Sequence, residues 1–248
     1  MRRKVPVPNI FHQCFTTPFI NGVGNVAAQG ACCNEMDIWE ANAVATALTP
    51  HTCSKSGVYK CTGKECDRGD AAVCDKNGCS FNTYANGVKN FYGKGSQFAV
   101  DTSKPFTVVT QFPADAAGNL QTIKRLYVQN GKVIPMATST ISGPPAQNFI
   151  NAHYCQKTGA KDYLSLGGTK GMGASLSRGM VLAISIWWDE SGGMTWLDSG
   201  NAGPCNKDEG LPAGIKKAQP DPSVVFSNIK WGEIDSTYSG SASHSRLM

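Results

Sequence analysis

Three carboxylates stand within six residues of one segment, which spans residues 32–42 and reads CCNEMDIWEAN. They are Glu35, Asp37 and Glu40, in a chain with only 18 acidic residues. The alternation of polar and apolar residues from Glu35 onward predicts a half-buried β-strand, because successive side chains of a strand point to opposite faces. Glu35 and Asp37 would then share a face. Glu40 would point the other way in a regular strand, so we expect a bulge or bend near Trp39 to return it to the first face.

Two carboxylates on one face of a strand are what the hydrolysis of a glycosidic bond requires. One attacks the sugar carbon, while the other, protonated, gives its proton to the leaving oxygen. A third acid beside the nucleophile can hold it by sharing a hydrogen bond or a proton, so that the pair titrates as one unit. A solvent-facing strand edge that carries acids for solubility is the alternative, and the pattern alone does not separate the two.

The acidic motif resembles the catalytic strand of glycoside hydrolase family 7, the retaining fungal cellulases. The motif is followed by ALTPH at residues 47–51, and the similarity runs from near Gln13 to near Thr237. Further stretches that carry it are FING at 19–22, VVTQF at 108–112, YVQNG at 127–131, WLDS at 196–199 and VFSNI at 225–229. The resemblance implies that Glu35 is the nucleophile, Asp37 its assisting acid and Glu40 the general acid/base.

The same resemblance assigns further residues to a substrate cleft. His51 is expected to face the cleft near the acid/base, with a loop histidine of no consequence as the alternative. Trp187 and Trp196 match cleft tryptophans, whose faces would stack on sugar rings, whereas core packing is the alternative for such residues. Arg125 matches an arginine near the leaving-group subsites, although a plain surface arginine would fit the sequence as well. Gln13 matches a glutamine near the cleaved sugar.

The chain contains ten cysteines, which favours an oxidising compartment. Zinc is the competing interpretation, but paired Cys-x2-Cys spacings are absent and only four histidines are present. The family's pairing, transferred to this sequence, implies the disulfides Cys14–Cys32, Cys53–Cys74, Cys61–Cys66 and Cys79–Cys155. It leaves Cys33 and Cys205 unpaired, because their partners would lie in an amino-terminal portion that we expect to be missing here. These two could also pair with each other or with a second chain.

The composition is typical of a turn-rich secreted β protein, with 27 glycines, 13 prolines and only 17% charged residues. The net charge of +5 includes no basic run beyond residues 2–4, so no nucleic-acid partner is expected. The sequence contains no stretch of roughly 18 apolar residues, so no membrane span is expected. The resemblance implies an extracellular monomer, although the amino terminus lacks the apolar core of a signal peptide. We expect a ragged start at 1–12, a partial catalytic domain at 13–237 and a polar tail at 238–248.

Strand-like segments separated by turn signals, with almost no helix, predict a β-sandwich. The expected strands include residues 98–101, 106–112, 123–128, 180–188, 194–197 and 224–231. The nearly continuous apolar run at 180–188 predicts a central, buried strand. Asn130-Gly131 predicts a hairpin turn, and a short helix is expected within 169–178. The resemblance specifies an all-β jelly-roll, concanavalin A-like sandwich with a substrate cleft on its concave sheet and its amino-terminal strands missing.

The resemblance therefore implies retaining hydrolysis of β-1,4-glucosidic bonds in cellulose or cello-oligosaccharides, without a metal or other cofactor. The short link at 26–30 and the short segment at 198–205 favour an endo-β-1,4-glucanase. The Cys61/Cys66 pair and the WEAN sequence at 39–42 also occur in cellobiohydrolases, which are the alternative within the family. A truncated, catalytically inactive, glucan-binding-like sandwich is the alternative from another functional class.

Overall fold

A computed structural model describes residues 14–16, 19–20, 23–24, 30–67, 69–190 and 192–242, with backbone alone before residue 30 and at residue 242. The described residues form fifteen strands, one 3-10 helix and five short α-helices. The strands are β1 (Cys14–Thr16), β2 (Phe19–Ile20), β3 (Val23–Gly24), β4 (Gly30–Cys32), β5 (Glu35–Ala41), β6 (Thr46–His51), β7 (Tyr59–Cys61), β8 (Phe81–Asn82), β9 (Tyr92–Gly93), β10 (Val100–Asp101), β11 (Thr107–Gln111), β12 (Ile123–Gln129), β13 (Lys132–Pro135), β14 (Phe149–Ile150) and β15 (Ser241–Ala242). The α-helices are α1 (Ala152–Lys157), α2 (Lys161–Ser165), α3 (Gly168–Arg178), α4 (Thr195–Asp198) and α5 (Pro212–Ala218), and the 3-10 helix covers Gly63–Cys66.

Two antiparallel sheets dominate the described structure. The first has the order β5-β6-β8, and the second has the order β11-β12-β13, with β14 beside β12 and β15 parallel to β13. A smaller sheet joins β1, β4 and β7. The expected strands at 106–112 and 123–128 are confirmed as β11 and β12. The expected hairpin turn is confirmed too: Asn130 and Gly131 adopt φ of 52° and 73°, the left-handed values that a two-residue hairpin turn requires.

The main core lies between the β5-β6-β8 sheet and helices α1 to α3. Leu48 and Phe81 from the sheet pack with Tyr154, Tyr163 and Met172 from the helices, and all five are at most 1% exposed. Because side chains alternate along β6, its residues Ala47 and Thr49, on either side of Leu48, point to the face of the sheet away from this core. The helix expected within 169–178 is confirmed as α3, whereas α1 and α2 were not expected.

Three expected strands are wrong. Residues 180–188 and 224–231 contain no strand, and most of their apolar side chains are exposed, with Val181 at 94% and Val225 at 89%. Neither segment pairs with a strand among the described residues, and without a partner an extended segment leaves its backbone groups to water. The third segment, 194–197, lies largely in helix α4. Its apolar residues Met194 and Leu197 are three apart and pack together against Ala45 and Ala47, which is the spacing of a helix rather than a strand.

The expected strand at 98–101 is shorter in the structure and covers Val100–Asp101. The amide of Phe98 instead donates to the carbonyl of Gly95 in a turn. Within the described part of the chain, no helix has both the length and the apolar character needed to cross a membrane.

Candidate active site

The acidic residues of β5 are placed by its antiparallel pairing with β6. Glu35 lies opposite His51, Asp37 opposite Thr49, and Glu40 opposite Ala47. Three residue steps on β5, from Asp37 to Glu40, thus match two steps on β6. The extra residue is the bulge expected near Trp39, which is confirmed, and it gives Glu40 the same facing as Asp37.

Glu35 and Asp37 form a hydrogen-bonded pair through their side chains. Burial, which is the largest cause, and the charge and hydrogen bond of Asp37 together raise the pKa of Glu35 to about 8. The positive charge of His51 opposes this rise. A hydrogen bond between two carboxyl groups requires that one of them is protonated, and the raised pKa of Glu35 favours its protonated form.

Glu40 is the second acid with an altered protonation equilibrium. Burial raises its pKa to about 7, with help from the charge of Asp37. Thr49 works in the opposite direction, because its Oγ1 donates a hydrogen bond to Glu40 Oε2 at 3.0 Å and favours the charged form. Asp37 pairs with Thr49 across the strands and so lies beside Glu40. Glu35 and Glu40 also repel each other, and this repulsion raises the pKa of Glu35.

His51 stands between two carboxylates. Its Nε2 lies 3.2 Å from Asp37 Oδ2, and its Nδ1 lies 3.7 Å from Asp75 Oδ2. Burial lowers the pKa of His51, but the hydrogen bond and charge of Asp37, followed by the charges of Asp75 and Glu35, outweigh burial and raise it overall. His51 is thus part of the acidic cluster rather than an isolated loop histidine.

Asp75 is the member of this cluster that reasoning from the sequence missed. A signal was nevertheless present in the expected disulfide between Cys53 and Cys74. Cys53 lies two residues after His51, and Cys74 directly precedes Asp75, so the bond between them brings the carboxylate to the imidazole.

The two matched tryptophans contact each other. The rings of Trp187 and Trp196 stack with centroids 6.0 Å apart and an interplanar angle of 17°. Trp196 is 46% exposed, so core packing does not describe it. Its neighbour Leu197 packs with Ala45 and Ala47, so helix α4, which carries Trp196, lies beside the part of β6 that pairs with Glu40.

Arg125 is buried, with 3% of its surface exposed, and the alternative of a plain surface arginine is wrong. Its Nε donates to Thr110 Oγ1 at 3.2 Å, and its guanidinium lies 5.7 Å from the ring centre of Tyr127. The Nη2 atom is buried and has no hydrogen-bond partner. Gln13, the other matched polar residue, lies outside the described residues.

Three of the four disulfides that the resemblance implies lie wholly within the residues whose side chains are described, and all three are present. These are Cys53–Cys74, Cys61–Cys66 and Cys79–Cys155. Cys32 is also disulfide-bonded, and the backbone of Cys14 lies opposite it in the β1–β4 pairing, but the side chain of Cys14 is outside the described residues. Cys33 and Cys205 are free thiols in the structure, so they do not pair with each other.

Comparison with known proteins finds the same family throughout. The family model for glycosyl hydrolase family 7 matches residues 12–238. Endoglucanase 1 of Humicola insolens is 55% identical over 226 residues, which are 91% of this chain. The structure of a native endocellulase from Humicola insolens covers 91% of this chain with a TM-score of 0.88 and 55% identity, and 56% of that structure is matched.

A solved endoglucanase I in complex with cellobiose matches 84% of this chain and 52% of its own, with a TM-score of 0.81 and 56% identity. A cellobiohydrolase from Daphnia pulex matches with a TM-score of 0.73 and 34% identity, over 84% of this chain and 52% of its own. These neighbours confirm the expected all-β jelly-roll fold class. The chain spans 56% of the length of the Humicola insolens relative, that is, a little over half of it.

Proposed function

This chain belongs to glycosyl hydrolase family 7, and we propose that it hydrolyses β-1,4-glucosidic bonds of cellulose as a retaining endo-β-1,4-glucanase. The observation that carries the proposal is the grouping of Glu35, Asp37 and Glu40 by the bulge in β5. Glu35, which is hydrogen-bonded to Asp37, has a pKa of about 8, and Glu40 has a pKa of about 7. A nucleophile and a protonated acid are the two groups that this reaction needs.

In the first step, Glu35 gives its proton to Asp37 and attacks the anomeric carbon as a carboxylate. Glu40 donates its proton to the departing oxygen, so a covalent glycosyl ester of Glu35 forms as the glycosidic bond breaks. In the second step, Glu40 removes a proton from water, the water oxygen attacks the anomeric carbon, and Glu35 leaves. Two inversions at that carbon retain its configuration.

The stacked tryptophans support a glucan as the substrate. A sugar ring presents C–H groups on its faces, and an exposed indole offers a flat apolar platform for them. We assign this role to Trp196, with Trp187 stacked behind it. Arg125 and Gln13 are proposed to bind sugar hydroxyls. In support of this role, Nη2 of Arg125 is buried without a hydrogen-bond partner and can donate a hydrogen bond to a ligand.

An endo mode of action is favoured by the relatives. Those named endoglucanases are 50–56% identical to this chain, whereas the Daphnia pulex cellobiohydrolase is 34% identical. An endo-acting enzyme should lower the viscosity of carboxymethylcellulose much faster than it releases reducing ends. Release of cellobiose without a fall in viscosity would indicate a cellobiohydrolase instead. The ten cysteines, eight of them assigned to disulfides, support secretion.

The decisive variant is Glu35→Gln, which keeps the shape of the side chain but removes the nucleophile. We expect it to lower the turnover of cellopentaose by more than 10³-fold, as an order-of-magnitude loss for a missing nucleophile, while the circular dichroism spectrum stays unchanged. A 2-deoxy-2-fluoro cellobioside should label the parental chain at Glu35, as measured by mass spectrometry, and should not label the variant.

Glu233→Gln is the matched control, because Glu233 is an exposed glutamate outside the acidic cluster. It should retain parental turnover and labelling. Near-parental turnover by Glu35→Gln would show that the nucleophile is misassigned. A parental chain that binds cellopentaose but is neither labelled nor active would indicate the inactive, glucan-binding sandwich.

A further inference from the structure

Asp75 is a buried carboxylate that the proposed reaction does not use. Its side chain is 1% exposed. Its Oδ1 accepts hydrogen bonds from the backbone N–H groups of Asn77 and Gly78, each at 2.9 Å. Its Oδ2 is buried, has no hydrogen-bond partner and faces His51 Nδ1 at 3.7 Å. A buried carboxylate oxygen is costly without a compensating partner, so the ion pair with His51 is the contact that offsets this cost.

The loop that carries Asp75 is built around the His51 ring. The amide of Asp75 donates to the carbonyl of Thr52, and the amide of Cys79 donates to the carbonyl of Pro50. The two ends of the loop are thus fixed to the residues on either side of His51. Between them, Gly78 leaves room for the imidazole, since a Cβ at this position would lie 2.7 Å from His51 Cε1.

The two nitrogens of His51 both face carboxylate oxygens. A neutral imidazole has one N–H group and one acceptor nitrogen, whereas an imidazolium has two N–H groups. Asp37 at Nε2 and Asp75 at Nδ1 are therefore both attracted only when the ring carries two protons. A neutral ring would point a lone pair at one of the two carboxylates.

We propose that Asp75 is a positioning residue, which holds the His51 imidazolium in place with its Nε2–H group directed at Asp37. Its importance for turnover rests on the proposed function, whereas its effect on His51 does not. The positive charge of His51 lowers the pKa of both Glu35 and Glu40, so Asp75 acts on the reacting acids through the histidine.

Several titratable groups surround this pair and enter any test based on pH. The groups that interact with His51 are Glu35, Asp37 and Glu40 of β5 and Asp75 itself. Asp75 also interacts electrostatically with Asp162 and Tyr163 of α2. Asp75→Asn changes one charge among them and keeps the shape and the acceptor oxygen that the amides of Asn77 and Gly78 use.

The first measurement is a titration of the full chain followed by ¹⁵N NMR of the imidazole nitrogens. The chain has four histidines, and the signal absent from His51→Gln identifies His51. In the parental chain we expect both nitrogens to be protonated at pH 6. In Asp75→Asn we expect the pKa of His51 to shift downward and Nδ1 to lose its proton first, because the asparagine amide can donate to it.

Asp101→Asn is the matched control. Asp101 is also a buried acid that accepts backbone hydrogen bonds, and its partners are Gly95, Ser103 and Lys104 rather than the acidic cluster. It should lose stability without any change in the titration of His51. An unchanged titration in Asp75→Asn would overturn the proposal. So would an unprotonated Nδ1 at pH 6 in the parental chain, and this second result decides the matter even if Asp75→Asn fails to fold.

The second measurement is the steady-state hydrolysis of cellopentaose. Asp75→Asn should lower kcat by about 10-fold or more, in line with the loss of a supporting polar contact, with little change in KM. The rising limb of its pH profile should move to higher pH, because a neutral His51 no longer favours ionised Glu35. Parental kcat with a shifted His51 titration would limit Asp75 to a structural role. If the parental chain has no activity, the proposed function fails, but the NMR titration still tests the contact.

Discussion

In the proposed reaction, Glu40 must be protonated when the glycosidic bond breaks, so its pKa would set the upper pH limit of activity. Burial and the charge of Asp37 raise this pKa to about 7, while the hydroxyl of Thr49 lowers it. Activity should therefore fall as the pH rises through about 7, since Glu40 then loses the proton that it has to donate. A hydrogen bond from the neighbouring strand thus lowers the pKa of the proposed general acid.

Thr49→Val tests this tuning. The substitution removes the hydroxyl that stabilises ionised Glu40, so the pKa of Glu40 should rise and the falling limb of the pH–kcat/KM profile should move to higher pH. The lost hydrogen bond should also cost about 1 kcal/mol of unfolding free energy. Both quantities can be measured on the same preparations, by initial rates across pH and by urea unfolding.

Thr46→Val is the matched control for this variant. Thr46 lies on the same strand and is equally buried, but its Oγ1 has no hydrogen-bond partner. Its replacement should leave the pH profile in place and should be neutral or slightly stabilising. If both variants moved the falling limb equally, the limb would not report on the contact between Thr49 and Glu40.

At the level of elements, the site depends on how loops and helices are fixed to the β5–β6 hairpin. The disulfide Cys79–Cys155 joins the loop next to β8 to helix α1, and both of its cysteines are fully buried in the main core. The disulfide Cys61–Cys66 spans only five residues at the edge of the small sheet. The free energy gained from a cross-link grows with the length of chain that it closes.

Replacing Cys79 and Cys155 together by alanine should therefore lower the unfolding free energy by about 4 kcal/mol, given a sequence separation of 76. The Cys61/Cys66 double alanine variant should lose only about 2 kcal/mol. Guanidinium unfolding under non-reducing conditions measures both values. Equal losses would mean that strain or packing, rather than loop closure, governs these two disulfides.

At the level of the whole molecule, apolar surface is exposed along two extended segments, residues 180–188 and 224–231. Val181, Val225 and Trp231 are 94%, 89% and 92% exposed, and further apolar residues in both segments are also accessible. Monomeric proteins rarely expose apolar surface on this scale, and such surface favours association. We therefore expect these two segments to promote aggregation of the chain.

Replacing Val181 and Val225 together by serine should reduce the fluorescence of an apolar-surface dye such as ANS and delay aggregation. Unfolding free energy should change by no more than about 0.5 kcal/mol, because both side chains are already in water. Val58→Ser is the control, since Val58 is 60% exposed but lies outside the two segments. Unchanged dye binding in the double variant would indicate that these segments are covered in solution.

The sequence by itself determined the features that depend on neighbouring residues. Alternation along β5 predicted the strand and the position at which Glu40 required a bulge, and Asn130-Gly131 predicted the turn between β12 and β13. These features follow from local backbone geometry, in which a few adjacent residues decide the outcome. The resemblance to the family added the disulfides and the acidic roles.

Only the tertiary structure decided which distant groups meet. Asp75 reaches His51 through a disulfide and two backbone hydrogen bonds, and Thr49 of β6 donates a hydrogen bond to Glu40. The apolar run at 180–188 has the composition of a buried strand, yet its burial requires a partner strand that a local pattern cannot supply. Contacts between residues far apart in the chain depend on the packing of the whole molecule, and a pattern of adjacent residues does not contain that information.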